Sequence, residues 1–556
     1  MLHMSDTPWL TSYPPDVDWR APITPRPMHT ILEEAAKAFP NRPALEFLGR
    51  RTSYHQLAVL VNRVAAGFRK LGVKPGVKVG LLLPNCPQFV IAYYAALKAG
   101  GTVVNFSPLY SLPELEHQAK DSGTEILVTL NLNALYPKAL VLLEAGILRH
   151  LVVSTLPEAL PFPKSLLFPL CKKKEIARVA WDERHIRWAS LVRCVEMAAG
   201  EVPVIRPEKD IALLQYTGGT TGTPKAAALT HANIYANVMQ CGLWFPDALA
   251  GREKLLGVLP FFHVFAMTVA MNFGLLKGAE IILHLRFDLV DLLKDIHRKK
   301  PTLMPGVPTM FTAINHHPQL ARYNLSSLKF CISGGAALPV EVKQNFEKLT
   351  GCTLIEGYGL TETSPVVCVN PLKGANKAGS IGLPLPQTIV KIEDMENRGS
   401  FLPPGGRGEL CVGGPQVMQG YWNKPEETVQ VIGADGLLRT GDVATMDNDG
   451  YVYIVDRLKE MIAAGGFKIY PRHVEEVIYQ HEAVKEAAVI GVPDTYRGEA
   501  VKAFVVLKEG CALTEAGLKE FLKEHLGKHE IPRMVEFRES LPKTMVGKIC
   551  KKDLKG

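Results

Sequence analysis

The chain has 556 residues and is 47% hydrophobic and 21% charged, an ordinary globular balance with length enough for several packed layers and more than one domain. A net charge of +8 favours anionic partners such as nucleotides or an anionic membrane surface, yet no long Lys/Arg block points to nucleic acid. Ten cysteines without a CxxC pair read as reduced thiols of a cytoplasmic protein, and no apolar run is long enough to span a bilayer. Residues 1–19 are acidic and Pro-rich without an apolar centre, which argues against a signal peptide.

In chain order, periodicity predicts helices over 28–38, 54–71, 87–98 and 112–121, alternating with short apolar strands over 79–83, 102–105 and 126–130. Such alternation implies a parallel sheet covered by helices. Residues 156–188 break the pattern with Pro157, Pro161, Pro163 and Pro169, an apolar patch at 165–170, and then Lys172, Lys173 and Lys174. Apolar insertion beside basic charge is the pattern of peripheral membrane contact; the alternative is a solvated surface insertion whose leucines pack on the domain. Alternation resumes with apolar runs at 211–214, 255–259, 280–283 and 328–332, and helical patterns from about 232 and over 289–299. Between 381 and 454 Gly and Pro are frequent, and β-like runs at 388–392, 408–412 and 451–454 predict a small antiparallel, barrel-like unit. Beyond Asp456 come helical patterns at 471–481 and 513–525 and strand patterns at 484–491 and 501–507. The expected fold class is α/β: a large N-terminal domain (1–456) of helix-covered sheets plus the β-barrel-like unit, followed by a small mobile α+β domain (457–556).

Six stretches carry candidate chemistry. Tyr216 to Lys225 reads YTGGTTGTPK. Gly218, Gly219 and Gly222 allow a tight turn and close approach to an anion, and successive N–H groups in such a turn make a phosphate nest. Thr217, Thr220, Thr221 and Thr223 add hydroxyls and Lys225 a point charge. No Gly-Lys-Ser/Thr follows at Walker spacing, and the bland alternative is a Gly/Thr-rich surface turn. Gly334, Gly335 and Ala336, in SGGAALP, offer bare backbone for a flat ring. Glu356, Gly357, Tyr358 and Gly359 begin EGYGLTET, in which Tyr358 offers an aromatic face, Thr361 a hydroxyl and Glu362 a hard oxygen ligand for Mg²⁺. Asp442, in LLRTGDVATMDNDGY, can accept from a ribose diol, whereas Asp447 and Asp449 lack the rest of an EF-hand and read as a solvated turn. His263, in LPFFHVF, reads either as a satisfied core residue or as a pocket group, and Lys548, in PKTMVGKI, as one solvated lysine among Lys543, Lys551 and Lys552.

These motifs resemble the adenylate-forming superfamily of acyl-CoA synthetases, luciferases and peptide-synthetase adenylation domains. From about Thr30 onward the chain is most similar to bacterial long-chain fatty acid–CoA ligases, on PGVPTMF (305–311), GSIGLPLP (379–386), GPQVMQGYWNKPEET (414–428) and GEAVKAFVVLKEG (498–510). It departs from the fatty-acid signature over 435–459 at Leu437 and Leu458, so reaction class is carried further than chain length. The resemblance implies an AMP-binding N-terminal domain, a C-terminal domain that turns about Asp456 to Lys459, and ATP, Mg²⁺ and CoA as cofactors. It implies adenine against Gly334, Gly335, Ala336 and the Glu356–Gly359 segment, phosphates at Thr217 to Gly222 and Lys225, α-phosphate at Thr361, metal at Glu362 with Thr217, and ribose at Asp442 and Arg457. It makes Lys459 part of the hinge, Lys548 the catalytic lysine of adenylation, and His263 a substrate-lining residue. It sets Gly465 and Gly466 along the pantetheine tunnel, where related chains carry Ser-Gly. The expected activity is fatty acid activation through acyl-AMP and transfer to CoA. The alternatives are a medium-chain or aryl acid–CoA ligase, an acyl-AMP ligase loading a carrier protein, or a catalytically silent nucleotide- or lipid-binding module. Oligomeric state stays open, with a homodimer one alternative.

Overall fold

Four sheets organise the computed structural model, which describes residues 7–195, 202–217, 224–464, 467–494, 498–544 and 549–555. The first runs Gly420–Tyr421, Lys225–Thr230, Ile211–Thr217, Thr102–Asn105, Lys78–Leu82, Thr124–Leu130, His150–Ser154, His185–Arg187. From Ile211–Thr217 onward its neighbours are parallel, as apolar runs buried between covering layers require. The second runs Leu383–Pro384, Val366–Val369, Thr353–Gly359, Phe330–Ser333, Leu303–Gly306, Lys254–Gly257, Glu280–Leu283, Pro43–Phe47, Arg50–Ser53. Its centre is parallel and both ends turn antiparallel.

The covering helices follow from their patterns. Tyr54–Lys70 is opened by a capping box: Gln56 N donates to Ser53 Oγ at 3.2 Å and Ser53 N to Gln56 Oε1 at 3.0 Å. It buries Leu57, Val61, Val64 and Phe68 along one stripe and ends in Arg69 and Lys70, which suit the negative end of the helix dipole. Pro87–Lys98 has no polar face, and all its positions from Gln88 to Lys98 are buried.

Ile389–Glu393, Arg407–Gly413, Leu438–Met446 and Val452–Arg457 form a four-stranded antiparallel sheet. The last sheet joins Phe467–Ile469, Ile462–Ala464, Gly498–Leu507 and Val484–Asp494, with Met534–Phe537 parallel to Gly498–Leu507. One apolar core extends from Trp9 to Val452, and separate cores begin at Ile462. Among the described residues no helix is long and apolar enough to cross a membrane.

Two sequence expectations need correcting. The Gly/Thr-rich stretch does not lead directly to the helix expected from about 232: that helix begins at His231, but Lys225–Thr230 before it is a strand, antiparallel to Ile211–Thr217. Asp447 and Asp449 are not simply solvated, since both grip Lys377 Nζ, at 2.6 and 2.7 Å.

Candidate functional site

The Gly/Thr-rich connection leaves its sheet between Thr217 and Lys225, which face each other across the ladder, Thr217 Oγ1 donating to Lys225 O at 3.3 Å. Gly218, Gly219, Thr220, Thr221 and Gly222 lie outside the described residues, as do Gly465, Gly466 and Lys548. Lys225 Nζ pairs with Glu427 on the helix Pro425–Val431 and sits 5.1 Å from the centroid of the Tyr421 ring. The hydrogen bond from Lys225 holds the Glu427 carboxyl below its ordinary value. A phosphate arriving at Lys225 therefore competes with a carboxylate already there.

Thr361–Thr363 is a short 3₁₀ turn packed against both strands of that hairpin, and Glu362 reaches Tyr421, whose ring also lies beneath Lys225 Nζ. Tyr421 Oη donates to Glu362 Oε1 at 2.7 Å, and burial, then Glu362, raises the phenol above its ordinary value. Among the described residues no group of three or more His, Cys, Asp or Glu side chains gathers as a metal site. The donor set still fits Mg²⁺: a single carboxylate with one oxygen fixed by Tyr421, next to a hydroxyl, matches an ion that takes its other ligands from water and substrate phosphates.

Thr353–Gly359 lies next to Phe330–Ser333, so the strand ends carrying Gly334–Ala336 and Glu356–Gly359 are adjacent. Glu356 Oε1 accepts from Leu338 N at 3.2 Å and braces the segment after Ala336. Glycine is required at 359, where a Cβ would stand 1.9 Å from the backbone Pro365 O, and at 334 a Cβ would stand 2.8 Å from the Phe265 ring, which would have to shift. Tyr358 Oη donates to Asp442 Oδ2 at 2.5 Å, and Arg457 Nε lies 3.2 Å from Asp442 Oδ1. Asp442 and Arg457 are register partners on neighbouring strands, so the ladder sets Arg457 beside the carboxylate that Tyr358 meets. A polar cleft is bordered by Leu360, Glu362, Tyr421, Thr440 and Gly441, so the metal candidate Glu362 opens onto it, whereas Asp442 and Arg457 do not line it. An apolar cavity is lined by Leu259, Pro260, His263, Phe265, Val307 and Gly335, uniting His263 with the glycine segment. His263 Nδ1 accepts from Phe265 N at 3.3 Å.

Burial pushes the Glu356 carboxyl up to about 7, with Arg472 and Lys343 pulling it down and Glu476 pushing it up. The folded chain thus holds that proton more tightly than the unfolded chain. Stability from this group is fullest below about pH 4.5 and is lost as pH rises to about 7. Glu356→Gln keeps an acceptor for Leu338 N and removes the slope. The expected gain at pH 8 is about 3 kcal/mol at most. Thermal unfolding of both chains at pH 5 and pH 8 checks this, and an equal pH slope in the two contradicts it.

Two groups escaped the sequence reading. Lys551 is not solvated: its Nζ lies 2.8 Å from Glu475 and 3.2 Å from Glu460. Burial pulls its ammonium down, but Glu475, Glu460 and Asp456 outweigh burial and leave it above its ordinary value. Asp456 accepts from Arg457 N at 2.7 Å and Arg472 N at 3.0 Å, and burial raises its carboxyl to about 6. Lys459 is exposed, its ammonium lowered by partial desolvation and then by Arg457. Tyr421 and Glu427 lay within a quoted stretch, but only the fold shows that they reach Glu362 and Lys225. Lys551→Met leaves Glu475 and Glu460 without their cation, at an expected cost of about 2 kcal/mol. An unchanged unfolding midpoint for that variant contradicts the clamp.

Residues 32–422 match the family model for the AMP-binding enzyme, and residues 473–548 that for the AMP-binding enzyme C-terminal domain. The chain is 46% identical over 553 residues to a long-chain-fatty-acid–CoA ligase of Bacillus subtilis, covering 99% of this chain and 98% of that one. Its structure is similar to that of ATP-bound MatB from Rhodopseudomonas palustris, with a TM-score of 0.82 and 28% identity, covering 95% of this chain and 98% of that one. It is also similar to an anthranilate CoA ligase in complex with anthranoyl-AMP, with a TM-score of 0.83 and 26% identity, covering 97% and 98% respectively.

Proposed function

The chain belongs to the AMP-binding family of adenylate-forming enzymes, and from that premise we propose that it is a long-chain fatty acid–CoA ligase releasing AMP and pyrophosphate. One observation supports the nucleotide reading: Tyr358 meets the remote strand pair that carries Asp442 and Arg457, through contacts of 2.5 and 3.2 Å centred on Asp442. That arrangement offers a ring face, a ribose acceptor and a cation in one line.

In the first half-reaction a carboxylate oxygen of the fatty acid bonds to the α-phosphorus of ATP, and the bond to the bridging oxygen breaks to release pyrophosphate. Thr217, Gly218, Gly219, Thr220, Thr221, Gly222 and Lys225 hold the phosphates, with Lys225 leaving Glu427 to do so. Thr361 donates to the α-phosphate, and Lys548 offsets charge on the reacting oxygens. Glu362, with Thr217, would hold Mg²⁺, which neutralises phosphate charge when bound. Gly334, Gly335, Ala336, Glu356, Gly357, Tyr358 and Gly359 seat the adenine, and His263 borders the acyl carboxylate.

In the second half-reaction the thiol of CoA gives up its proton, its sulfur bonds to the acyl carbon, and AMP departs. We place the domain boundary between 456 and 457, near where the apolar cores separate, with Lys459 in the hinge. Rotation there withdraws Lys548 and brings Gly465 and Gly466 to the pantetheine. A cytoplasmic location with peripheral contact to an anionic membrane face completes the reading. A panel of acids of increasing chain length, given with ATP and CoA and followed by product mass, tests it. Long-chain acyl-CoA is the expected dominant product. Preference for an aryl or short acid, or AMP release without CoA consumption, contradicts it.

A further inference from the structure

We propose that the helix Lys164–Cys171 and the hairpin turn at Leu48–Gly49 together form a docking surface for an anionic lipid bilayer. The helix buries none of its side chains. Leu166 and Leu170 are 64% and 76% exposed, Leu167 is half exposed, and Phe162 just before them is 78% exposed. Four large apolar groups in so short a stretch make a patch that scattered surface leucines do not. The turn between strands Pro43–Phe47 and Arg50–Ser53 stands against this patch. Lys164 Nζ donates to Leu48 O at 2.7 Å, and Arg50 donates to Glu158 O at 2.7 Å. Leu48 is also exposed, so the turn adds an apolar group from a distant part of the chain beside the helix.

Charge selects the occupant. Arg50, Lys164, Lys172, Lys173 and Lys174 are all exposed around the apolar groups. Glu175 takes Lys172 at 2.7 Å, but among the described residues no carboxylate pairs with Lys173 or Lys174. Apolar groups ringed by unneutralised cations fit anionic headgroups over acyl chains. Pro169 and the eight-residue length keep the helix too short to do more than lie in the interface. This surface is independent of the nucleotide site, and its tie to a fatty substrate rests on the ligase reading.

The full chain, without substrates, is sedimented with vesicles of phosphatidylglycerol and phosphatidylcholine, and with vesicles of phosphatidylcholine alone. Pelleting with the first at low salt, falling as salt rises, is the expected result. Changing Lys172, Lys173 and Lys174 to Glu weakens it by about tenfold or more. Leu48→Glu weakens it too, although that residue is remote in sequence from the helix. Ligase activity on a fatty acid supplied in detergent is unchanged in both variants, which shows they are folded. No pelleting, equal pelleting with neutral vesicles, or indifference to Leu48→Glu overturns the proposal. A dimer in solution that Leu170→Glu dissociates also overturns it, because a second copy then covers the patch. Loss of the ligase reading is seen separately, as absence of acyl-CoA from the detergent assay while vesicle binding persists.

Discussion

Lys548→Ala is expected to slow acyl-AMP formation by about a hundredfold or more, the scale of losing one preorganised charge at the reacting oxygens. Thioester formation from supplied acyl-AMP is expected to proceed near the rate of the unaltered chain. The reason lies in how the small domain holds the flanks of that lysine. Lys543 and Ile549 form a bridge across the loop, and Lys551 beyond it is clamped by Glu475 and Glu460. Both flanks of that lysine are thus tied to the small domain, so a rotation of the domain, as proposed, carries them with it. Gly466→Leu should do the reverse, blocking the thioester step and sparing ATP–pyrophosphate exchange. Equal loss of both half-reactions in either variant contradicts a domain rotation that exchanges the two groups.

Glu362→Gln is expected to raise the Mg²⁺ concentration needed for half-maximal adenylation by about tenfold, because the amide keeps its shape but loses its charge. Tyr421→Phe gives the companion result. It removes the 2.7 Å hydrogen bond that fixes one carboxylate oxygen and should produce a smaller shift in the same titration. If neither variant moves the Mg²⁺ dependence, Glu362 is not a metal ligand.

Some parallel strands were legible because each is a short apolar run after Gly, as in Lys78–Leu82 and Thr102–Asn105, whereas Pro43–Phe47, His150–Ser154, His185–Arg187, Leu303–Gly306 and Thr353–Gly359 were not read as strands. Nor was Lys225–Thr230. Its sequence, KAAALT, is alanine-rich and reads as the approach to a helix, and only pairing with Ile211–Thr217 makes it a strand. The candidate site was legible where glycine-rich segments offer bare backbone and where a carboxylate offers a hard oxygen ligand, as at Gly334, Gly359 and Glu362. Its ion pairs were not. Lys225 with Glu427, and Lys551 with Glu475 and Glu460, join residues whose proximity no spacing rule encodes. For the same reason 156–188 showed its prolines and lysines but not the Leu48 turn beside them.

The most direct test is isotope exchange between pyrophosphate and ATP, run with and without a long-chain fatty acid and then with CoA added. Exchange that requires the fatty acid but not CoA, followed by stoichiometric acyl-CoA and AMP once CoA is supplied, is the expected result. Exchange independent of any acid, or thioester formed with release of ADP and phosphate, would contradict activation through an acyl adenylate.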